Sequence, residues 1–156
     1  MSDADLLALY SQRLLALAAD IPRLGRLDAP DASATRRSPV CGSTVTVHVR
    51  LDGEVVADFA QEVRACALGQ AAASVVGRAL PGRTAAEVTE ARDGLRAMLA
   101  GGPAPSGPFA ALSALEVARA HPNRHASIML ALEAAAEAVA EAQRKKAAAA
   151  GAGGGQ

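Results

Sequence analysis

Apolar and polar residues alternate strictly from Thr44 to Leu51: Val45, Val47, Val49 and Leu51 fall on one side, Thr44, Thr46, His48 and Arg50 on the other. A period of two sends successive side chains to opposite faces of a strand, so this stretch predicts a strand with one buried face. Asp52-Gly53 follows, a pair suited to the positive φ angles of a type I′ hairpin turn. Glu54 to about Phe59 reads as the returning strand, and Gln61 to Ala65 as a third.

Elsewhere the period lengthens to that of a helix. Leu6, Tyr10, Leu14, Leu17 and Ile21 recur at three- and four-residue steps between Asp5 and Asp20, and Pro22 ends the pattern. Arg23 to Ser38 has no period and reads as loop. Cys66 opens a small-residue helix that runs from Ala67 to Leu80 and stops at Pro81-Gly82. Thr84 and Glu87 then match a capping box, ahead of a helix carrying Val88, Ala91, Leu95 and Met98 and closed by Gly101-Gly102-Pro103.

Pro105 to Pro108 reads as a linker, and Phe109, Leu112 and Leu115 as a brief helix. A long final helix starts near Asn123 or Arg124, with Ile128, Leu132, Ala135 and Val139 on one face. Glu133, Glu137 and Glu141 make an acidic row that reads as a wet face, and Arg144, Lys145 and Lys146 suit the negative end of the helix dipole. Ala147 to Gln156 is Ala/Gly low-complexity sequence, expected to be a disordered tail beyond a single domain of residues 1–146. The predicted class is α+β: a small three-stranded antiparallel sheet packed against several helices.

Composition narrows the function. Alanine is abundant, while the chain has one Tyr, two Phe and no Trp, so it lacks the stacking surfaces of single-strand nucleic-acid binders. Sixteen basic side chains balance sixteen acidic ones, leaving no global field to recruit nucleic acid or an anionic membrane. No apolar run approaches the roughly 18 residues that span a bilayer, and the acidic start Met1-Ser2-Asp3-Ala4-Asp5 is unlike a secretory signal. A cytoplasmic location is therefore expected, where a cysteine pair serves metal binding or catalysis more often than a structural disulfide.

The candidate chemistry rests on Cys41, Cys66, His125 and, less directly, His121. Cys66 and His125 both stand at helix starts, where unpaired amides and the positive dipole end favour a thiolate or a metal-facing side chain. The Cys-x24-Cys interval matches no tight metal signature, so spacing alone leaves open a pair of small buried hydrophobes. His48, on the polar strand face, reads as solvated, and His121 beside Pro122 as a loop residue. No glycine-rich phosphate loop, Ser-His-Asp order or HExxH pattern is present, so nucleotide chemistry and hydrolysis gain no support.

The run Ser38-Pro39-Val40-Cys41-Gly42, the Val-rich strand after it, Asp52-Gly53 at the turn and Cys66 leading into a small-residue helix resemble the NifU N-terminal/IscU/SufU family of iron–sulfur cluster assembly scaffolds. Leu9-Tyr10-Ser11, Pro22-Arg23-Leu24-Gly25 and Pro81-Gly82-Arg83-Thr84 add to the resemblance, which spans most of residues 9 to 140. It implies a SufE/NifU-like fold and a non-enzymatic role: holding a transient iron–sulfur cluster, or zinc in its place. It also implies two kinds of partner, a cysteine desulfurase that delivers sulfur and apo-proteins that receive the cluster.

By the same resemblance Cys41 and Cys66 correspond to the first two cysteine ligands and His125 to the histidine before the third. Two positions depart from the pattern: Ala126 stands where the third cysteine would be, and Ser43 where an aspartate would follow the first. Two thiolates and one imidazole remain, with His121, water, Asp58 or a partner's side chain to complete the set. The Leu-Pro-Pro-Val-Lys motif of the IscU branch is replaced by His121-Pro122-Asn123-Arg124, which fits the NifU-like or SUF-associated branch better. A zinc-bound persulfide acceptor for a desulfurase, and a member that keeps only protein contacts, are the alternative readings.

Overall fold

The computed structural model describes residues 11–154; Leu6 and Tyr10 of the first predicted helical face lie outside them. Helix α1 (Gln12–Ala19) opens at Ser11, whose hydroxyl accepts from the Leu14 amide, and Leu14 is fully buried. Three strands follow, β1 (Ala32–Arg37), β2 (Thr44–Asp52) and β3 (Val55–Arg64), in an antiparallel sheet of order β1-β2-β3. The class is α+β, as the pattern predicts. The third strand is not where the pattern put it.

β3 is continuous through both segments expected to be separate strands, and the remaining strand forms from the stretch read as loop. Ala32 and Ala34 of β1 are buried and the rest is polar or basic. Alanine is depleted in strands, so nothing local marks this segment; its pairing with Val45, Val47 and Val49 makes it a strand. The turn also differs. Asp52 pairs with Val55, leaving Gly53-Glu54 as the central residues, and Gly53 alone takes positive φ (63°). Glycine first in the loop is the II′ pattern, not I′.

The inner sheet face, with Val45, Val47, Val49, Val56 and Phe59, is buried under the final helix α4 (His125–Gly154), which crosses β1 and β2. α4 also packs on α2 (Ala67–Ala79) and α3 (Ala85–Leu99), so it runs through the middle of the molecule and is buried on most sides from Ser127 to Val139. A helix apolar nearly all round is a core helix. It continues to Gly154 through the stretch composition assigned to a disordered tail, since a run of alanines has the best intrinsic helix propensity.

Glu133 and Glu137 are not simply wet either: Arg36 of β1 reaches both, at 3.7 and 3.6 Å, and Arg96 of α3 reaches Glu133 at 3.5 Å. On the outer sheet face, His48 is held between Ser33 Oγ at 2.6 Å on Nδ1 and Glu62 Oε1 at 2.8 Å on Nε2, with only 13% of its side chain exposed. It is a cross-strand tie rather than a solvated residue.

The segment Gly107–Ala120 is a 3-10 helix of unusual length. Its apolar residues Phe109, Leu112, Leu115 and Ala118 recur every third position, and three residues per turn stack them on one buried stripe. α3 begins with the expected capping box: Glu87 N donates to Thr84 Oγ1 at 3.2 Å and Thr84 N donates to Glu87 Oε1 at 3.1 Å. Thr84→Ala is expected to cost about 1 kcal/mol, read as a fall of about 2–4 °C in thermal midpoint.

Candidate functional site

The β2–β3 register carries the two cysteines to one place. Thr44 pairs with Arg64, so the chain before β2 and the chain after β3 leave the sheet at the same end. Cys41 lies just before β2 and Cys66 just after β3, as the N-cap residue of α2. Before β2 the chain folds back tightly: Gly42 N donates to Ser38 O at 3.0 Å and Ser38 N to Ser43 O at 2.8 Å, with Gly42 in the left-handed region (φ 73°). This closed loop holds Cys41 outward, exposed, while Cys66 is half-buried.

A chain of hydroxyls joins the two sulfurs. Cys41 Sγ lies 3.0 Å from Ser43 Oγ, Ser127 Oγ donates to Ser43 Oγ at 3.2 Å, and Cys66 Sγ lies 3.5 Å from Ser127 Oγ. The Cys41 thiol also donates to Ser38 Oγ at 3.6 Å. Ser38, Ser43 and Ser127 are all buried, which polar groups tolerate only when hydrogen-bonded. Both cysteines are free thiols.

These contacts favour the thiolates. The Ser43 hydroxyl first, then Ser38 and the Ser43 backbone, bring the Cys41 thiol down from 9.0 to about 7. Burial pushes the Cys66 thiol up, but the Ser127 hydroxyl, the Gly69 and Leu68 amides at the start of α2, and the nearby Arg124 charge together hold it below its ordinary value.

His125 is the first residue of α4, two positions before Ser127. Its Nε2 bonds the Ala118 carbonyl at 2.8 Å, which makes Nε2 the protonated nitrogen and leaves Nδ1 as the one able to bind a metal. His121 sits half-buried at the junction of the 3-10 helix and the Pro122–Arg124 turn. Asp58 belongs to the hairpin end of the sheet, where Arg23 holds it at 2.8 Å and Arg50 lies at 3.8 Å. Among the described residues no three His, Cys, Asp or Glu side chains converge as a ready-made metal site. The structure thus joins Cys41 to Cys66 and leaves His125 turned to Ala118.

Residues 9–149 match the family described as NifU-like N terminal domain. The chain belongs to that family. The crystal structure of a nitrogen-fixing NifU-like protein (N-terminal) from Brucella abortus is 44% identical, over 90% of this chain and 99% of that one, with a TM-score of 0.87. A putative iron-sulfur cluster assembly scaffold protein for the SUF system from Fervidobacterium islandicum is 20% identical, over 84% and 96% of the two chains, with a TM-score of 0.77, and bears on the fold alone. No curated protein matches the sequence.

In this NifU-like domain the serines were the part of the site that reasoning from residue types passed over. Ser43 marks itself only as a departure from the family pattern, and Ser127 only as a small polar residue at the head of the buried run of α4. Their effect is measurable. Thiolate is the alkylated form, so the iodoacetamide rate at Cys41, read by peptide mass spectrometry, is expected to rise with pH through a midpoint near 7. Ser43→Ala is expected to move that midpoint upward, and an unmoved midpoint would remove the serine from the account.

Proposed function

We propose that the chain is a non-enzymatic scaffold or carrier in iron–sulfur cluster assembly, holding iron or a nascent cluster as cargo through Cys41, Cys66 and His125, and passing it to apo-proteins. The observation that carries the reading is the convergence of two acidified thiols, one exposed, at a single open end of the sheet. Family membership supports it.

The donor set suits the cargo incompletely: thiolates are the usual ligands of iron–sulfur clusters and imidazole an accepted substitute. For His125 to join, its ring has to bring Nδ1 toward the sulfurs, and His121 is the nearest alternative in sequence. Fewer thiolates donate less charge to the metal, so the cargo is held loosely, which suits hand-over. The partners on this reading are a cysteine desulfurase and recipient apo-proteins, and the working compartment is the cytoplasm. No helix among the described residues is long and apolar enough to cross a membrane.

Anaerobic reconstitution with iron and sulfide tests the proposal. The expected result is a set of visible absorption bands that move to an added apo-ferredoxin. Protein that takes up neither iron nor zinc would overturn it.

One observation favours a second reading. A thiol with pKa near ambient pH is the best attacking group in sulfur exchange, and Cys41 is exposed with a pKa of about 7. With zinc bound at the site, its thiolate would attack the outer sulfur of a desulfurase persulfide, leaving a persulfide on Cys41 and freeing the desulfurase cysteine as thiolate. Faster desulfurase turnover on adding the zinc form would support this reading, and no stimulation would remove it.

A further inference from the structure

Beside the cysteine loop lies an open cavity of about 480 Å3, between the end of β1, the C-terminal turn of α3 and the first turns of α4. Its volume is within the range of small-molecule sites, about 300–1,000 Å3. Three guanidinium groups line it, those of Arg36, Arg37 and Arg96, against the single carboxylate of Glu133.

These charges are not locked to one another. Glu133 lies 3.7 Å from Arg36 and 3.5 Å from Arg96, and two carboxylates outside the lining, Glu137 and Asp93, lie 3.6 Å from Arg36 and 3.5 Å from Arg96, all beyond the roughly 2.7–2.9 Å of a charge-assisted hydrogen bond. Arg37 makes no ion pair among the described residues, and its Nη2 stands 3.8 Å from where a Cβ on Gly42 would be, beside Cys41. Buried Ser38, which accepts from the Cys41 thiol, also lines the cavity.

Ala126 and His125 complete the wall on the α4 side. Position 126 is where the resemblance places a third cysteine, so the space its thiolate would fill opens into a cationic cavity rather than into packed core. A ligand that fits must bring carboxylates to the arginines, tolerate one carboxylate opposite, and can bring sulfur to Ala126.

We infer that this cavity binds a small carboxylate-bearing thiol of tripeptide size, with its carboxylates on the arginines, its ammonium on Glu133 and its thiolate beside Ala126 as an external third sulfur ligand to the metal cargo. The inference rests on the reading of Cys41 and Cys66 as metal ligands. Binding releases the thiol proton to solvent and changes no oxidation state. Guanidinium groups suit the task because they take carboxylates through two parallel hydrogen bonds. An inorganic anion could meet the same arginines but would bring no sulfur.

Cobalt(II) titration under anaerobic conditions, with reduced glutathione as the probe, tests this. Thiolate-to-cobalt absorption reports the number of sulfurs bound, and the double variant Cys41→Ala/Cys66→Ala sets the baseline for glutathione–cobalt complexes in solution. Glutathione is expected to convert a two-thiolate spectrum to a three-thiolate one and to tighten cobalt binding by about tenfold. S-methylglutathione is expected to do neither, and inorganic phosphate to compete. Arg37→Ala and Arg96→Ala should each need about tenfold more glutathione, while Ala126→Cys should show the three-thiolate spectrum without any. A two-thiolate spectrum unmoved by glutathione, or an equal response to S-methylglutathione, overturns this inference alone. Protein that binds no cobalt with or without glutathione overturns both it and the reading beneath it.

Discussion

Cys66→Ala is expected to abolish the visible bands that iron and sulfide give the wild-type protein, and Cys41→Ala to do the same. Each removes one of only two thiolates in the site, so no spare cysteine can take over. The loss should be selective. Cys66 is half-buried at the rim of the core and Cys41 is exposed, so exchanging either for alanine removes little packing. Surface and rim substitutions of this kind change stability by about 0.5 kcal/mol, so the thermal midpoint should stay within a few degrees. Bands that survive in Cys66→Ala would remove that thiol from the site.

Gly69→Ala is expected to disturb both the packing and the site. A Cβ on Gly69 would stand 2.8 Å from the Ala65 Cβ, 2.8 Å from Ser127 Oγ and 3.2 Å from the Ser127 carbonyl. Helix propensity alone favours alanine by about 0.5–1 kcal/mol, whereas overpacking costs about 1–3 kcal/mol. Two of the three neighbours are a backbone carbonyl and a Cβ fixed to backbone, which cannot swing away, so overpacking wins. The expected result is a lower thermal midpoint, by about 2–4 °C for each kcal/mol.

The same methyl pushes Ser127 off Cys66. Ser127 is the strongest of the contacts that favour the Cys66 thiolate, so alkylation of Cys66 should need higher pH. Gly94→Ala in α3 is the control, because its Cβ would meet only Pro105 at ordinary contact, 3.5 Å. There propensity should prevail and the midpoint rise. A Gly69→Ala protein more stable than wild type, with Cys66 reactivity unchanged, would refute the packing argument.

The fold was legible where one face is buried by a clear period. Val45 to Leu51, the capping box at Thr84 and the core face of α4 are all readable because local chemistry and burial agree. β1 was not, because Ala-Ser-Ala-Thr-Arg-Arg has no strand signal of its own and is recruited by β2. The long 3-10 helix is half visible: Phe109, Leu112 and Leu115 predict a brief helix, and the structure extends it over Gly107–Ala120 with three residues per turn.

The site divides in the same way. Cysteines announce their chemistry by type, and the hairpin between Cys41 and Cys66 is enough to bring them to one end of the sheet. The serine relay is a tertiary feature joining residues 84 positions apart, which no local pattern marks. The arginine-lined cavity likewise draws on β1, α3 and α4, and only packing assembles it.

X-ray absorption at the zinc edge, on protein purified without air and loaded with zinc in the absence of added thiol, tests the central claim most directly. The expected first shell holds two sulfurs at about 2.3 Å, with nitrogen or oxygen at about 2.0–2.2 Å completing a four-coordinate site. A shell of nitrogen and oxygen alone, or protein that retains no zinc, would contradict the assignment of Cys41 and Cys66 as a shared metal site.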